Sequence, residues 1–246
     1  MKRTQSEACG GVRGGFSLVE ILVVIAIVAA LLAVSGGVFR SASLQAKQAK
    51  CLGNLRQIGT AALSYALDHQ GRYPQATHQL DAASCERGWI NSLATYLDEV
   101  DEVRLCPVDP KAEERLRARG TSYVLNSFLT VEATDPFGQP LENQFTRMHQ
   151  VPDQGRTPLA FIINFDKGAG FTNDHTHSAA WTSWSAVLND IEVDAFRVGG
   201  RSAGRTQGSS NYLFADGHAE TLKASVVSGW IRSGYNFADP AALPQN

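Results

Sequence analysis

Cysteine is scarce in this sequence, and the cysteines present do not have the spacing of a metal or redox site. Four cysteines occur in 246 residues, and no two of them form a C-x-x-C pair. A zinc site or a thioredoxin-like redox site therefore has little support. The Walker A sequence and the metalloprotease sequence H-E-x-x-H are also missing. These motifs would have indicated catalysis, and without them we expect a protein that is not an enzyme.

Basic residues are not in excess either. The chain has 22 lysines and arginines against 24 aspartates and glutamates, which gives a net charge of −2. Three of the basic residues, Lys2, Arg3 and Arg13, precede the first long apolar segment. The remainder of the chain is therefore more acidic than the whole. Because nucleic-acid binding usually requires a basic patch, we expect no nucleic-acid partner.

The longest apolar run extends from Phe16 to Val34 and contains one charged residue, Glu20. At 1.5 Å per residue, a helix of this length spans most of a bilayer core of about 30 Å. The run predicts a single transmembrane helix, which we assign to residues 16–38. A carboxylate inside it costs roughly 2.5–3.5 kcal/mol on insertion scales. Glu20 either benefits from the helix N-terminus, where the macrodipole favours an anion, or has a function.

Residues 15–20, GFSLVE, follow a short basic leader and resemble the prepilin signature of type IV pilins and type II secretion pseudopilins. The resemblance implies that a prepilin peptidase cleaves between Gly15 and Phe16 and methylates the new amino group of Phe16. It also implies that Glu20 acts in assembly. An ordinary signal peptide would be cleaved after its apolar stretch, and no A-x-A follows Val34.

Burial of charge offers a physical reason for this assignment of Glu20. The ammonium of Phe16 in one subunit and the carboxylate of Glu20 in another are each costly when buried alone, and their pairing reduces that cost. We therefore expect the chain to assemble with itself and with other pilin-like subunits.

The apolar run continues into an amphipathic helix. Leu52, Leu55, Ile58, Ala62 and Tyr65 recur at helical spacing, and Gly71 and Pro74 follow. This predicts a leader at 1–15, one helix at 16–68 and a globular head at 69–246. The family resemblance implies a lollipop in which the second half of the helix packs on a small antiparallel sheet.

In the head we expect an α+β fold. The pattern of the sequence predicts helices at 89–100 and 224–232, a charged surface segment at 111–119, strands at 122–129, 159–165 and 191–198, and a hairpin at 211–223. The dipeptide Asp216-Gly217 is typical of a type I′ turn. This hairpin and residues 51–74 resemble a subgroup of prepilin-type proteins with a terminal H-x9-D-G motif, although Thr206 replaces the histidine.

Three cysteines remain after loss of the leader: Cys51, Cys85 and Cys106. Cys85 and Cys106 both lie in the head and form one candidate disulfide. Cys51 lies on the predicted helix and offers a second pairing, with Cys106. Spacing does not choose between the two pairings.

A metal site is suggested by acidic and imidazole side chains in a glycine-rich region. Asp166, Asp174 and Asp216 are the candidate ligands for Ca²⁺, which takes oxygen ligands in flexible geometry. His175, His177 and His218 would suit Zn²⁺ instead. A solvated polar loop and a plain turn are the alternatives. Trp181 and Trp184 either form a ligand surface or pack in the core.

These features predict a structural subunit of a type II secretion pseudopilus or of a type IV pilus-like filament. We expect a single-pass inner-membrane protein with its head in the periplasm or on the cell surface, processed by prepilin peptidase. The alternative is a membrane-tethered head that binds a ligand or a catalytic metal.

Overall fold

A computed structural model describes residues 15–77, 88–98, 100–132, 134, 137, 139, 144–170 and 172–242, without the side chains of residues 32–38 and 100. The backbone divides into two compact units, Met1–Ser43 and Leu44–Asn246. Most of the predicted leader and two of the four cysteines, Cys9 and Cys85, lie outside the described residues.

Helices and strands alternate irregularly along the described chain. The α-helices are α1 (Leu18–Asp68), α2 (Gly88–Ser92), α3 (Val100–Val103), α4 (Ala112–Arg117), α5 (Ser127–Thr130), α6 (Trp184–Asp190) and α7 (Ala224–Arg232). The strands are β1 (Tyr123–Leu125), β2 (Pro158–Ile162), β3 (Ser209–Phe214) and β4 (Ala219–Lys223). Short 3-10 helices lie at Ala94–Tyr96, Met148–Gln150 and Ser178–Ala180. One long N-terminal helix is therefore confirmed, as is the closing helix α7.

In the first unit, α1 presents apolar side chains on all sides. Phe16 is 84% exposed, and Leu18, Val19, Ile21, Leu22 and their successors to Leu31 are also exposed. Among the described residues, no helix has both the length and the apolarity needed to cross a membrane. Residues 32–38 of the predicted span lie outside the described side chains, so the transmembrane assignment of residues 16–38 stays a prediction.

In the second unit, a four-stranded antiparallel sheet has the order β1-β2-β3-β4. Tyr123 pairs with Ile162, Ala160 with Leu213, and Tyr212 with Glu220. Side chains of successive strand residues point to opposite faces, so each strand contributes to two apolar layers. The α+β prediction with a small antiparallel sheet is confirmed, and it is consistent with a pilin-like fold.

The second part of α1 covers one face of this sheet. Cys51, Leu55, Ile58 and Ala62 of α1 share a buried cluster with Leu125, Ile162 and Leu213 of the strands. The opposite face carries a second cluster built on Val124, Phe161, Tyr212, Trp181 and Phe237. The amphipathic pattern that predicted the second half of the helix therefore marks its contact with the sheet.

Helix α1 ends in a Schellman arrangement. Gln70 has a φ of 57°, and the Gly71 N–H donates to the Ala66 carbonyl at 2.7 Å. Gly71 is left-handed as well, with a φ of 79°. A 6→1 bond of this kind satisfies a carbonyl that the helix leaves unpaired. The predicted end of the helix is therefore confirmed.

Four local predictions are wrong. Residues 89–100, predicted as one helix, form the end of α2 up to Ser92, a 3-10 helix at Ala94–Tyr96 and the first residue of α3. Residues 191–198 form two isolated bridges, Ile163 to Ile191 and Phe196 to Ser209, with a turn between them. Strand β1 stops at Leu125 because the Asn126 side chain accepts from the Phe128 N–H and caps α5. The hairpin at 211–223 is present, but its turn is not type I′, since Gly217 has positive φ and Asp216 does not.

The charged segment at 111–119 is not simply a solvated surface turn. Arg115 is fully buried, and its Nε donates to Asp109 Oδ2 at 2.7 Å. Asp109 also accepts from the Ser122 hydroxyl at 2.7 Å. A buried charge requires a partner and full hydrogen bonding, and this pair has both. The segment anchors the turn after Cys106 to strand β1.

Candidate functional site

The residues at the predicted cleavage point lie directly ahead of α1 in the first unit. Gly15 precedes α1 in an exposed, non-helical segment, and Phe16 is 84% exposed. A Cβ added to Gly15 would meet no described atom within 4 Å. Packing in the described part of the chain therefore does not require a glycine at this position. Recognition by a processing enzyme is another reason for a glycine here.

Glu20 completes a capping box at the start of α1. Its Oε2 accepts from the Ser17 N–H at 2.8 Å, and the Ser17 Oγ accepts from the Glu20 N–H at 3.2 Å. This reciprocal pair satisfies two donors that the helix N-terminus leaves unpaired. The spacing S-x-x-E ahead of an apolar run signals this arrangement, which our sequence analysis missed. Glu20 remains exposed, with acceptor capacity left for a further donor.

Each of the three aspartates predicted to bind calcium is engaged by its own chain. Asp166 is held by Arg201 at 2.7 Å, and that hydrogen bond lowers the pKa of Asp166. Asp174 is buried and accepts from the Thr77 N–H and from His175. The structure does not gather three or more His, Cys, Asp or Glu side chains into a metal-sized group within the described residues. Calcium binding by these aspartates stays a prediction.

An aspartate that the sequence analysis did not select organises the loop at 166–177. Asp190, at the end of α6, accepts from Lys167 Nζ at 2.7 Å, the His177 N–H at 2.8 Å and Trp181 Nε1 at 2.8 Å. Burial raises the pKa of Asp190, but these three hydrogen bonds outweigh burial and leave its pKa below the ordinary value. A single aspartate at a helix end gives no motif, so only its contacts identify it.

The turn at Asp216 is a contact between the hairpin and α1. Asp216 Oδ1 accepts from the His218 N–H at 3.1 Å, a local arrangement that stabilises turns. A Cβ on Gly217 would lie 2.6 Å from Leu63 Cδ1, and a Cβ on Gly59 would lie 2.6 Å from the Gly217 carbonyl oxygen. The two segments whose sequences resemble the prepilin-type subgroup therefore touch through their glycines. This geometry supports the turn interpretation of Asp216-Gly217.

The two tryptophans proposed as a ligand surface have different environments. Trp181 is 2% exposed and packs against Phe161 and Phe237. Trp184 is half-buried at the start of α6, and its Nε1 donates to the Gly204 carbonyl at 2.8 Å. The core interpretation is therefore right for Trp181.

Residues 192–205 contain a buried charge network instead of a strand. Glu192 and Asp194 are buried, and Arg205 pairs with both carboxylates. Arg201 joins Glu192 at 3.0 Å to the exposed Asp166 at 2.7 Å. Arg205 is 11 residues from Asp194 and 13 from Glu192, and Arg201 is 35 residues from Asp166, so these spacings suggest no site on their own. The network ties the glycine-rich loop to the sheet.

Residues 200–204, GRSAG, match the G-x-S-x-G pattern of hydrolase nucleophiles. In hydrolases this serine lies on a sharp turn between a strand and a helix. Here the pentapeptide lies in a loop between α6 and β3, and no helix follows it directly. The local structure therefore does not have the geometry of a nucleophile elbow.

Cys51 and Cys106 face each other in the core of the second unit. Both are fully buried free thiols, and their Sγ atoms lie 3.5 Å apart. Burial raises the pKa of Cys51, but hydrogen bonds from Cys106, Tyr123 and Asn211 outweigh it and lower the pKa overall. Burial and the neighbouring Cys51 raise the pKa of Cys106 well above its usual value. Of the two pairings left open by the sequence, the structure brings together this one, while Cys85 lies outside the described residues.

Comparison with known proteins bears on the N-terminal region. No curated protein and no solved structure matches the chain. The family model described as the prokaryotic N-terminal methylation motif matches residues 12–36, a segment that contains Gly15, Phe16 and Glu20. The motif indicates a pilin-like structural subunit in general, of the kind that prepilin peptidase processes and that assembles with similar subunits. The N-terminal region of this chain is therefore that of a prepilin-type sequence, consistent with a pilin or pseudopilin.

Proposed function

We propose that this chain is a structural subunit of a filament, either a type II secretion pseudopilus or a type IV pilus-like fibre. Prepilin peptidase cleaves it between Gly15 and Phe16 and methylates the Phe16 amino group. The mature subunit is anchored in the inner membrane by its N-terminal helix, with the head in the periplasm or on the cell surface. Assembly proceeds through the same helix, with Glu20 as the charged contact.

The observation that carries this proposal is the match of residues 12–36 to the methylation motif. The exposed apolar surface of α1 between Phe16 and Leu31 supports it. A helix that is apolar all round is stable only when a bilayer or other protein covers it. Neighbouring subunits and lipid both provide such cover in the proposed filament.

Intact mass of the full-length protein, extracted from membranes of cells that contain a prepilin peptidase, tests the processing step. We expect a chain that lacks residues 1–15 and carries one added methyl group. The variant Gly15→Leu should retain the leader, although the described structure has room for its side chain. Ser17→Ala serves as the control, because it changes the capping box and keeps the glycine.

A mature wild-type chain that starts at Met1, or that starts beyond Val34, would contradict the proposal. Equal processing of wild type and Gly15→Leu would contradict the assigned cleavage point. A strain deleted for the gene separates the two kinds of filament. Loss of enzyme secretion would indicate a secretion pseudopilus, and loss of surface fibres would indicate a pilus.

The alternative of a metal-dependent or ligand-binding head has no observation in its favour among the described residues. The aspartates proposed as ligands already have protein partners, and Trp181 is buried. We therefore propose the structural subunit alone.

A further inference from the structure

We propose that Cys51 and Cys106 form a disulfide that fastens helix α1 to the segment that follows α3, and that Cys85 is left unpaired. The inference rests on the proposed function in one respect, because a head outside the cytoplasm meets an oxidising environment. The pairing itself follows from the structure.

Distance and burial both favour this pair. The two Sγ atoms are 3.5 Å apart, so closing to the bonded distance of about 2.05 Å requires a shift of about 1.5 Å. Both residues have no exposed surface, and they belong to one apolar cluster. The buried Tyr123 hydroxyl lies 3.5 Å from the Cys51 sulfur. The site therefore holds the two thiols together and excludes other thiols once the chain is folded.

The backbone on either side of the pair is fixed by hydrogen bonds. One helical turn after Cys51, the Asn54 side chain donates to the Leu105 carbonyl at 2.9 Å and to the Glu102 carbonyl at 3.3 Å. Ahead of Cys51, the Gln48 carbonyl accepts from Asn211 of β3 at 3.0 Å. These contacts lie before and after Cys51 along α1, and they fix the position of the helix relative to the sheet and to the segment that carries Cys106. A disulfide adds a covalent bond to an alignment that already exists.

The oxidation proceeds by exchange with a disulfide oxidant, such as a dithiol–disulfide oxidoreductase or glutathione disulfide. The thiolate of one cysteine attacks the oxidant disulfide, forms a mixed disulfide and releases one oxidant sulfur as a thiolate. The thiolate of the second cysteine then attacks the sulfur of the first, forms the Cys51–Cys106 bond and releases the second oxidant sulfur. The protein loses two electrons and two protons, and the oxidant gains them.

Burial determines when this exchange occurs. Neither sulfur is accessible in the folded protein, so the oxidant must react while the chain is folding. The same burial then shields the finished bond from reductants in solution.

Peptide mapping of the full-length protein tests the pairing directly. The purified protein is unfolded, equilibrated with defined ratios of reduced and oxidised glutathione during refolding, and alkylated under denaturing conditions. We expect a digest without reductant to contain a linked pair of peptides carrying Cys51 and Cys106, and Cys85 to carry the alkylating label. A Cys85–Cys106 link, or labelling of both Cys51 and Cys106 at every glutathione ratio, would overturn the proposal.

This measurement does not depend on where the cell places the head. A bond that forms in glutathione buffer supports the pairing even if the protein fails to assemble into filaments. Conversely, a lack of cleavage at Gly15 would contradict the proposed function and would leave the pairing unaffected. The two ideas are therefore tested separately.

Thermal unfolding with and without reductant provides a second measurement. We expect wild type and Cys85→Ser to melt about 5–10 °C lower after unfolding and refolding in excess reductant than after refolding with oxidised glutathione, since a disulfide typically contributes a few kcal/mol. The variants Cys51→Ser and Cys106→Ser should melt at the same temperature in both conditions. A reductant effect that persists in Cys51→Ser, or that disappears in Cys85→Ser, would also overturn the pairing.

Discussion

In the second unit, a single buried polar side chain can hold a loop in place through several hydrogen bonds. Asp190 accepts from Lys167 and His177 of the loop at 166–177 and from Trp181, which directly follows the 3-10 helix. Two of the side chains that face it, Lys167 and His177, are charged or titratable. A region that looks from sequence like a metal-binding loop is therefore ordered by a carboxylate of the protein itself.

Replacement of Asp190 by asparagine should destabilise the fold. All three partners donate, and an asparagine has one acceptor oxygen, so at least one of these donors loses its partner. We expect a loss of about 1–3 kcal/mol in the free energy of unfolding at pH 7. Thermal melts of the full-length protein in detergent measure it, with the exposed Asp98→Asn as the control. Equal stability of the two variants would contradict the role assigned to Asp190.

The same comparison has an expected dependence on pH. Because the pKa of Asp190 is lower in the folded state, its contribution is present above the unfolded value of about 3.9 and is lost as the pH falls through the folded value. The stability difference between wild type and Asp190→Asn should therefore be constant from pH 7 to about 5 and shrink below about 4. Melts at pH 7, 5, 4, 3 and 2 test this. A difference that grows in acid would show that the sign is wrong.

At the scale of elements, α1 and the β3–β4 hairpin approach each other so closely that side chains are excluded at the contact. Gly59 lies against the Gly217 carbonyl and Leu213, and Gly217 lies against Leu63. Gly217 also needs a positive φ of 87°, which residues with a side chain rarely adopt. The contact joins the helix, the hairpin and the face of the sheet that α1 covers.

A methyl group at residue 59 should separate these elements. The Cβ of Gly59→Ala would lie 2.6 Å from a backbone oxygen and 2.7 Å from Leu213 Cδ1, so the backbone must shift. We expect destabilisation of about 1–3 kcal/mol, measured as a lower melting temperature. Gly53→Ala is the matched control on the same helix, since its Cβ meets no described atom within 4 Å. It should be neutral or stabilising by roughly 0.5–1 kcal/mol through helix propensity.

Equal effects of the two substitutions would argue against the close approach. A stabilising Gly59→Ala would argue against it more strongly, because helix propensity alone then explains both results.

At the scale of the whole molecule, the proposed assembly gives Glu20 a second partner, outside its own chain. In the single subunit its carboxylate caps α1 through Ser17. In the proposed filament we expect the same carboxylate to pair with the ammonium of Phe16 on a neighbouring subunit, and a low dielectric strengthens such a pair. The two roles of Glu20 can be tested separately. A neutral side chain with an acceptor oxygen can still cap the helix, but it cannot form an ion pair with the ammonium of Phe16.

Glu20→Gln keeps an acceptor for the capping box and removes the charge, whereas Glu20→Ala removes both. Loss of one partner from a buried pair costs roughly 3–5 kcal/mol, because the other charge remains unpaired. We therefore expect both variants to be cleaved normally and to lose most cross-linkable oligomers. Cross-linking in membranes, followed by blotting for the head, measures the oligomers, and the melting temperature of the head should be unchanged.

Ser17→Ala is the control for the cap, because it removes the hydroxyl acceptor and leaves the charge of Glu20 intact. It should assemble nearly as well as wild type. If Glu20→Gln assembles as well as wild type while Glu20→Ala does not, helix capping explains the requirement for Glu20, and the pairing with Phe16 is wrong.

The sequence by itself determined the N-terminal region and the class of the fold. Gly15, Phe16 and Glu20 lie within six consecutive residues at the start of the apolar run, and an apolar run or a helical period is visible without knowing any distant contact. The second half of α1, the hairpin at 211–223 and the closing helix α7 are equally local, so their patterns sufficed. The end of α1 was also predicted, because Gly71 and Pro74 interrupt the helix directly.

Only the tertiary structure decided which distant residues meet. Cys51 lies beside Cys106, Arg115 beside Asp109 and Arg205 beside Glu192, and in each case the partner is fixed by packing and not by spacing. Residues 191–198 looked like a strand because they alternate in polarity, yet their two acids are buried and pair with the buried Arg205. The free energy of burying a charge depends on the partners that the fold supplies, and a local pattern does not contain that information.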